Sequence, residues 1–293
     1  MRTDQILQVI LTGLSQGGIY ALIGLGFSLV SMSTRVLNLA QGAYAVWGGF
    51  LFIAMVSALG LPPLAALGLA IIATALLGIV TERLVNIRSK PWRPISLDVA
   101  VLSTLALSVV FEGAAFLVWG PDPQRGPAIQ SGVFRLFGAV VVWQSVWMFG
   151  AMIVLSVALH LFLRHTWMGQ AMRACAQNTL AAHLLGINVR RVGLVTFGIA
   201  AMLGATAGML VSPVTWIDYQ IGGYFMLQGV LAFLLGGEEE VAGPVVGGLL
   251  LGIVENVLLL FPGGGLLKQV IPMILLIAVL LWRPQGLLAK RAA

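Results

Sequence analysis

An all-α polytopic integral membrane protein with about eight or nine transmembrane helices is the fold class this sequence predicts, on three observations. First, 59% of the 293 residues are hydrophobic and only 9% are charged, whereas a soluble domain carries about 25% charged residues. Mean hydropathy is +1.01. Second, several apolar stretches reach the ~20 residues needed to cross a hydrocarbon layer. Third, the basic residues behind the net charge of +6 gather at the ends of those stretches. That is the positive-inside pattern of a membrane chain, not the basic face of a nucleic-acid binder. The whole chain, 1–293, reads as one transmembrane domain.

The elements follow in order. Residues 1–5 are a short prelude, and the first apolar run continues too far for a cleavable leader. That run, 6–30, carries Gln8, Thr12, Ser15, Gln16 and Ser28 among glycines, which predicts a helix buried among other helices. Segment 31–42 then holds Arg35, Asn38 and Gln41 between two spans. The next run, 43–59, is short, and Gly42, Gly48 and Gly49 predict a broken or partly re-entrant segment. Irregular backbone at membrane depth persists only where protein encloses it or it lines a wet cavity.

After a turn at Pro62 and Pro63, 64–81 is the third span. Segment 82–94, with Arg83, Arg88, Lys90 and Arg93, is expected on the inner side. The fourth span, 98–119, carries Thr104 and Ser108 in its first half and Glu112 deeper. A carboxylate inside a span marks either a polar path or a paired structural contact. Segment 120–144 predicts a small outer hairpin over its β-branched part, 133–142. The fifth span is 145–163 and the sixth 192–211. Within the sixth, Gly204 and Gly208 form a small-xxx-small face that suits internal packing as well as dimerisation.

A short outer loop, 212–222, precedes 223–235, which is too short for a straight span and predicts a second broken helix. Glu238, Glu239 and Glu240 predict a water-exposed turn. The run 248–261, ending near Glu255 and Asn256, and the run 267–282 complete the count. The two glycine-interrupted segments, 38–49 and 222–237, hold comparable places in the two halves. This points to a pseudo-repeat around a central pathway.

One long polar passage stands out, 168–191, between the fifth and sixth spans, with Arg164, Arg190 and Arg191 at its ends. Alanine and leucine content over 170–185 favours helix, and Gly186 is a stop. The passage predicts one or two short helices on the membrane surface that offer small residues to a partner. The alternative is a solvated connection, although connections beyond roughly 12–15 residues are usually functional or disordered. With this passage inside, only Arg2, Arg125, Arg135 and Lys268 of the 16 basic residues fall outside.

Catalytic constellations are absent from the sequence. No Gly-x-x-x-x-Gly-Lys-Ser/Thr loop is present, so this chain does not hydrolyse ATP by that route and reads as a non-enzyme. His160, His165 and His183 are scattered, and no metal spacing or cofactor motif exists. The single Cys175 forms no internal disulfide.

The passage 168–191 also resembles the cytoplasmic coupling loop of the branched-chain amino acid permease family of ATP-binding cassette importers. Gly169, Ala171, Arg173, Ala174, Ala176, Leu185, Gly186 and Ile187 match its Gly-x-Ala-x-Arg-Ala-x-Ala and Leu-Gly-Ile pattern. Further matches run in order along the chain: Gly18 to Leu22, Asn38-x-Ala40-Gln41-Gly42, Thr104 with Leu107 and Ser108, the glycines at 236, 237, 243, 247 and 248, and an Arg-Pro-x-Gly ending from Arg283. Gln41 replaces a family histidine, which removes a titratable group from that position, and the three glutamates at 238–240 depart from the usual small residues.

The resemblance implies a permease in the bacterial inner membrane with the loop 164–191 and the C-terminus cytoplasmic. It implies two ATP-binding cassette ATPase subunits, a second permease subunit read as a different chain, and an external or periplasmic solute-binding protein. Cargo would be a branched-chain amino acid or a related small polar or amphipathic solute. ATPase coupling falls on Gly169, Arg173, Ala174, Gln177, Asn178, Ala181, Leu185, Gly186 and Asn188. Candidates for the translocation path are Asn38, Gln41, Thr104, Glu112, Glu255 and Asn256, each of which also suits a packing hydrogen bond. The rival reading is a proton-coupled secondary transporter using Glu112 or Glu255.

Overall fold

Apolar runs become helices here because hydrocarbon offers backbone N–H and C=O groups no partner but each other. The computed structural model describes residues 3–86, 96–130, 132–136, 138–237, 241–260 and 264–282. Among them the chain forms eleven helices and one two-stranded hairpin. In order these are α1 (Thr3–Thr34), α2 (Gln41–Ser57), α3 (Pro63–Val85), α4 (Leu97–Trp119), β1 (Val133–Leu136), β2 (Ala139–Val142), α5 (Trp143–His165), α6 (Trp167–Gln177), α7 (Thr179–Leu184), α8 (Val189–Val211), α9 (Ile221–Gly236), α10 (Ala242–Leu258) and α11 (Gly264–Trp282).

Five helices are long and apolar enough to cross a membrane: α1 over Ile6–Thr34, α3, α4, α5 and α8. Shorter apolar helices are α2, α9, α10 and, within α11, Val270–Val279. A helix of 16 or 17 residues, as in α9 and α2, extends about 25 Å against a hydrocarbon core of about 30 Å. The two segments expected to be broken are instead continuous short helices, α2 and α9, because Gly48 and Gly49 lie within α2 without interrupting it. Both are preceded by non-helical chain, 36–40 and 212–220, in which Asn38, Ala40, Ser212 and Ile217 are fully buried. The helical starts lie side by side, since a Cβ on Gly42 would run into the Gly222 carbonyl.

The centre of the bundle is α1, packed against α5, α8, α9 and α10. Burial separates inner from outer helices. In α8 78% of the span window is buried, but in α3, α5 and α4 only 28%, 22% and 17%. The glycine-rich stretch after residue 241 forms the start of α10, with Pro244 in the first turn, where a missing N–H costs nothing. Its glycines meet those of α1. A Cβ on Gly17 would lie 2.6 Å from the Gly248 carbonyl oxygen, and one on Gly13 2.8 Å from that of Gly252.

Gly17→Val is therefore expected to lower the yield and melting temperature of the purified protein. Gly68→Val, where no atom lies within 4 Å of the added carbon, is expected to change neither. Equal melting curves for the two variants would remove the close α1–α10 contact from the account. Likewise Gly204 and Gly208 face Tyr44 and Ala45 of α2, so their small face serves internal packing.

The hairpin pairs Phe134 with Val141 and Arg135 with Val140, as the β-branched run predicted. It clamps the first turns of α1. The Gln8 amide donates to the Val140 carbonyl and accepts from its N–H, both at 2.7 Å. The turn expected at Glu238–Glu240, the basic residues Arg88, Lys90 and Arg93, and the ending from Arg283 lie outside the described residues.

Candidate functional site

The polar passage folds as the two short helices α6 and α7. Each end of it is built by a side-chain cap. Thr166 accepts from Gly169 N–H at 3.0 Å, Asn178 from Ala181 N–H at 3.0 Å, and Asn188 from Arg191 N–H at 3.1 Å. Each cap satisfies one of the donors that a helix start leaves open. Asn178 itself is extended (φ −157°, ψ 104°), so the helix that composition suggests over 170–185 is broken there. After α7, Gly186 adopts φ +86°. Its N–H donates to the His183 carbonyl and that of Ile187 to the Ala182 carbonyl, both at 3.0 Å. This is the paired bonding of a left-handed glycine C-cap.

The inner face of α6 is Gly169, Ala171, Met172 and Cys175, all buried. Gly169 lies so close to Phe162 and Leu163 at the end of α5 that a side chain would collide with the backbone. The outer face carries Arg173 and Gln177, with Asn178, Ala181, Leu185, Gly186 and Asn188 following, all exposed, and Ala174 half-buried. Part of the small-residue content, Ala171 and Ala182, therefore packs inward. What projects instead is a leucine cluster: Leu180 is 51% exposed, Leu184 78% and Leu185 83%. Burial also pushes the Cys175 thiol above its ordinary range.

A hydrogen bond ties this passage to the first break. Arg35, left-handed at φ +59° where α1 ends, donates through Nη2 to the Ala176 carbonyl at 3.0 Å. The chain then enters 36–40 and α2.

Around that break the structure brings together three of the candidate path residues. Asn38 accepts from Ala40 N–H at 3.2 Å and donates to the Tyr44 hydroxyl at 3.4 Å. Thr104 Oγ1, from α4, accepts from Leu39 N–H at 3.1 Å and lies 3.3 Å from the Leu37 carbonyl. Gln41 donates to the Ala200 carbonyl at 2.8 Å, while its Oε1 has no partner among the described residues. All three are fully buried.

Glu255 and Asn256 belong to a second cluster, between α1, α9 and α10. Glu255 accepts from the Tyr20 hydroxyl at 2.7 Å, the Gln228 amide at 2.5 Å and the Tyr224 hydroxyl at 3.3 Å. Asn256 donates to Gln16 at 3.1 Å. Glu112 stands apart from both clusters, half-buried on the wall of a cavity of about 190 Å³ between α2, α4 and the start of α9.

Residues 9–280 match the family model described as branched-chain amino acid transport system / permease component. The chain belongs to this family. Among its relatives is the high-affinity branched-chain amino acid transport system permease protein BraD of Pseudomonas aeruginosa. It is 30% identical over 305 residues, covering 97% of this chain and 96% of BraD. LivH of Escherichia coli K12, described in the same words, is 30% identical over 295 residues, with the same two coverages. These relatives are membrane transport components, not enzymes, and the family favours the importer reading over the proton-coupled one.

Several residues of this permease escaped the sequence reading. Leu180 and Leu184 are one helical turn apart, a spacing that could have flagged a shared face. Tyr20, Tyr224 and Gln228, which hold Glu255, left no local signal, because their partner lies up to 235 positions away. Glu82, at the inner end of α3, is 3% exposed and packs against Gly193 of α8.

Proposed function

We propose that this permease is the membrane subunit of an ATP-binding cassette importer for branched-chain amino acids or closely related amphipathic solutes. Two ATPase subunits would complete the importer and hydrolyse the ATP, one of them docking on the passage 164–191 from the cytoplasm. A second permease subunit, a different chain, would complete the path, and an external solute-binding protein would deliver cargo.

The observation that carries the reading is the family match over 9–280 joined to the shape of the passage. Two capped helices project exposed leucines, and Arg35 ties them to the first break. Pressure on α6 and α7 would pass through the Arg35–Ala176 bond to segment 36–40, and through α5 and α8 to the bundle. Asn38, Gln41 and Thr104 would keep the break in shape, while Glu255 and Asn256 hold α9 and α10 to α1. On this reading these five residues frame the path, and the short helices α2 and α9 border it. In the coupling role, exposed Arg173, which donates one long bond to the Arg164 carbonyl at 3.5 Å, and exposed Gln177 would bond the ATPase groove, Ala174 and Ala181 would permit close approach, and Gly169, Asn178, Gly186 and Asn188 would shape the surface that carries Leu185.

Co-purification from detergent tests it. The chain is expressed with its neighbouring genes as wild type, Arg173→Glu and Gly186→Trp. An ATPase subunit is expected with wild type and is expected to be lost from both variants. Gly186→Trp places a side chain at φ +86°, which L-residues seldom adopt, and an indole on the docking face. Retention of the ATPase by both variants, or its absence from wild type, would overturn the docking surface.

A further inference from the structure

Glu112 is the one candidate path residue that the protein does not use. It has no hydrogen bond or ion pair among the described residues. It sits inside the α4 span, seven residues before Trp119, or about 10 Å along the helix. A carboxylate at the centre of a span costs about 2.5–3.5 kcal/mol even on the scale least severe to it, so it faces water or a partner charge.

The cavity before it supplies the setting. Leu39, Val46, Trp47, Phe111 and Met226 make apolar walls, and Ser108 lies one turn from Glu112 on the same helix. No lysine, arginine or histidine lines the space. Asp218, next to the lining residue Tyr219, does not line the cavity, and its Oδ1 accepts from Gln220 and Ile221 N–H at 2.8 Å. The Trp47 indole N–H is likewise taken, by the Phe111 carbonyl at 3.0 Å. What remains is one carboxyl group with no partner among the described residues, beside the apolar wall of a cavity of about 190 Å³.

We propose that Glu112 is the specificity-determining group of this permease, receiving the primary ammonium of a solute whose branched hydrocarbon lies against Trp47, Phe111 and Met226. This rests on the permease reading above and sharpens it. Solutes that share the hydrocarbon but lack the ammonium are refused, because they leave the carboxylate without its partner charge.

The test labels a thiol in the cavity and needs no transport. Ser108→Cys is made with Cys175→Ala, so that residue 108 carries the only cysteine. Its reaction rate is measured with a cationic and an anionic methanethiosulfonate, with and without millimolar L-leucine or 4-methylpentanoate. The cationic reagent is expected to react about tenfold faster, as one nearby unit charge of opposite sign requires. Leucine is expected to slow that reaction and 4-methylpentanoate to leave it unchanged. Adding Glu112→Gln is expected to abolish both the preference and the protection.

Equal rates for the two reagents, no reaction with either, protection by 4-methylpentanoate, or leucine protection that survives Glu112→Gln would each overturn the assignment. Leu105→Cys, on the same wall, gives the same readout should Ser108→Cys fail to fold. Loss of the importer reading would appear separately, as an ATPase that never co-purifies, with the labelling result intact.

Discussion

Replacing Glu255 with leucine is expected to destabilise the permease by on the order of 3–6 kcal/mol, since a buried donor that loses its acceptor costs about 1–3 kcal/mol. Three donors are affected: the Tyr20 and Tyr224 hydroxyls and the Gln228 amide. Glu255 is fully buried, as Tyr20 and Gln228 nearly are, and in a membrane interior water does not replace a lost partner. The damage spreads because the cluster joins three helices. With the carboxylate gone, α9 and α10 keep the Tyr20–Tyr224 and Asn256–Gln16 hydrogen bonds to α1 but lose the one acceptor that joins all three helices. Glu255→Gln retains one acceptor oxygen and is expected to lose markedly less.

The measurement can use the protein's own reporter. Cys175 is the single cysteine and is 2% exposed, and burial keeps its thiol protonated and slow to react. A thiol-reactive fluorophore therefore reports unfolding as temperature rises. A Glu255→Leu protein that melts with wild type would show that the cluster contributes nothing to holding the bundle together.

Leu184→Asp with Leu185→Asp is expected to have the opposite profile: an unchanged melting curve and uptake reduced about a hundredfold or more. The two side chains are 78% and 83% exposed, so the isolated permease gains nothing from them. In the proposed complex each would bury its hydrocarbon in the ATPase groove, a contribution of about 1.5–3 kcal/mol apiece. Losing both removes about 3 kcal/mol or more, two orders of magnitude in affinity, and a buried aspartate adds its own desolvation cost. The readouts are ATPase retained on purification and labelled leucine taken up by cells. Normal uptake in the double variant would move the docking surface away from the leucine cluster.

Helices were legible in this sequence because hydrocarbon imposes a strong filter on composition. Apolar runs near residues 64–81, 98–119 and 192–211 became α3, α4 and α8 with their ends displaced by a few residues. The short runs flanked by glycine became the short helices α2 and α9, and the β-branched stretch became the hairpin. The 168–191 passage was conspicuous for the same reason in reverse, as polar chain in an apolar protein. Its internal layout was not. Asn178 reads as one more polar residue in an alanine-rich helix, yet its side chain caps α7 and its backbone breaks the helix. Local caps compete with propensity by only about 1 kcal/mol, too little for composition to rank.

By itself, then, the sequence determined the membrane class, the order of the spans, the two short apolar helices and the polar passage between α5 and α8. Each follows from transfer free energies and charge placement that act residue by residue. Only the tertiary structure decided which polar side chains are spent and which is open. Asn38, Thr104, Glu255 and Asn256 look as available in the sequence as Glu112 does. Folding pairs the first four with partners as distant as Tyr20 and Gln16, on other helices, and leaves Glu112 facing a cavity. Hydrogen bonding is pairwise and long-range, so its satisfaction belongs to the packed bundle and not to any one stretch of chain.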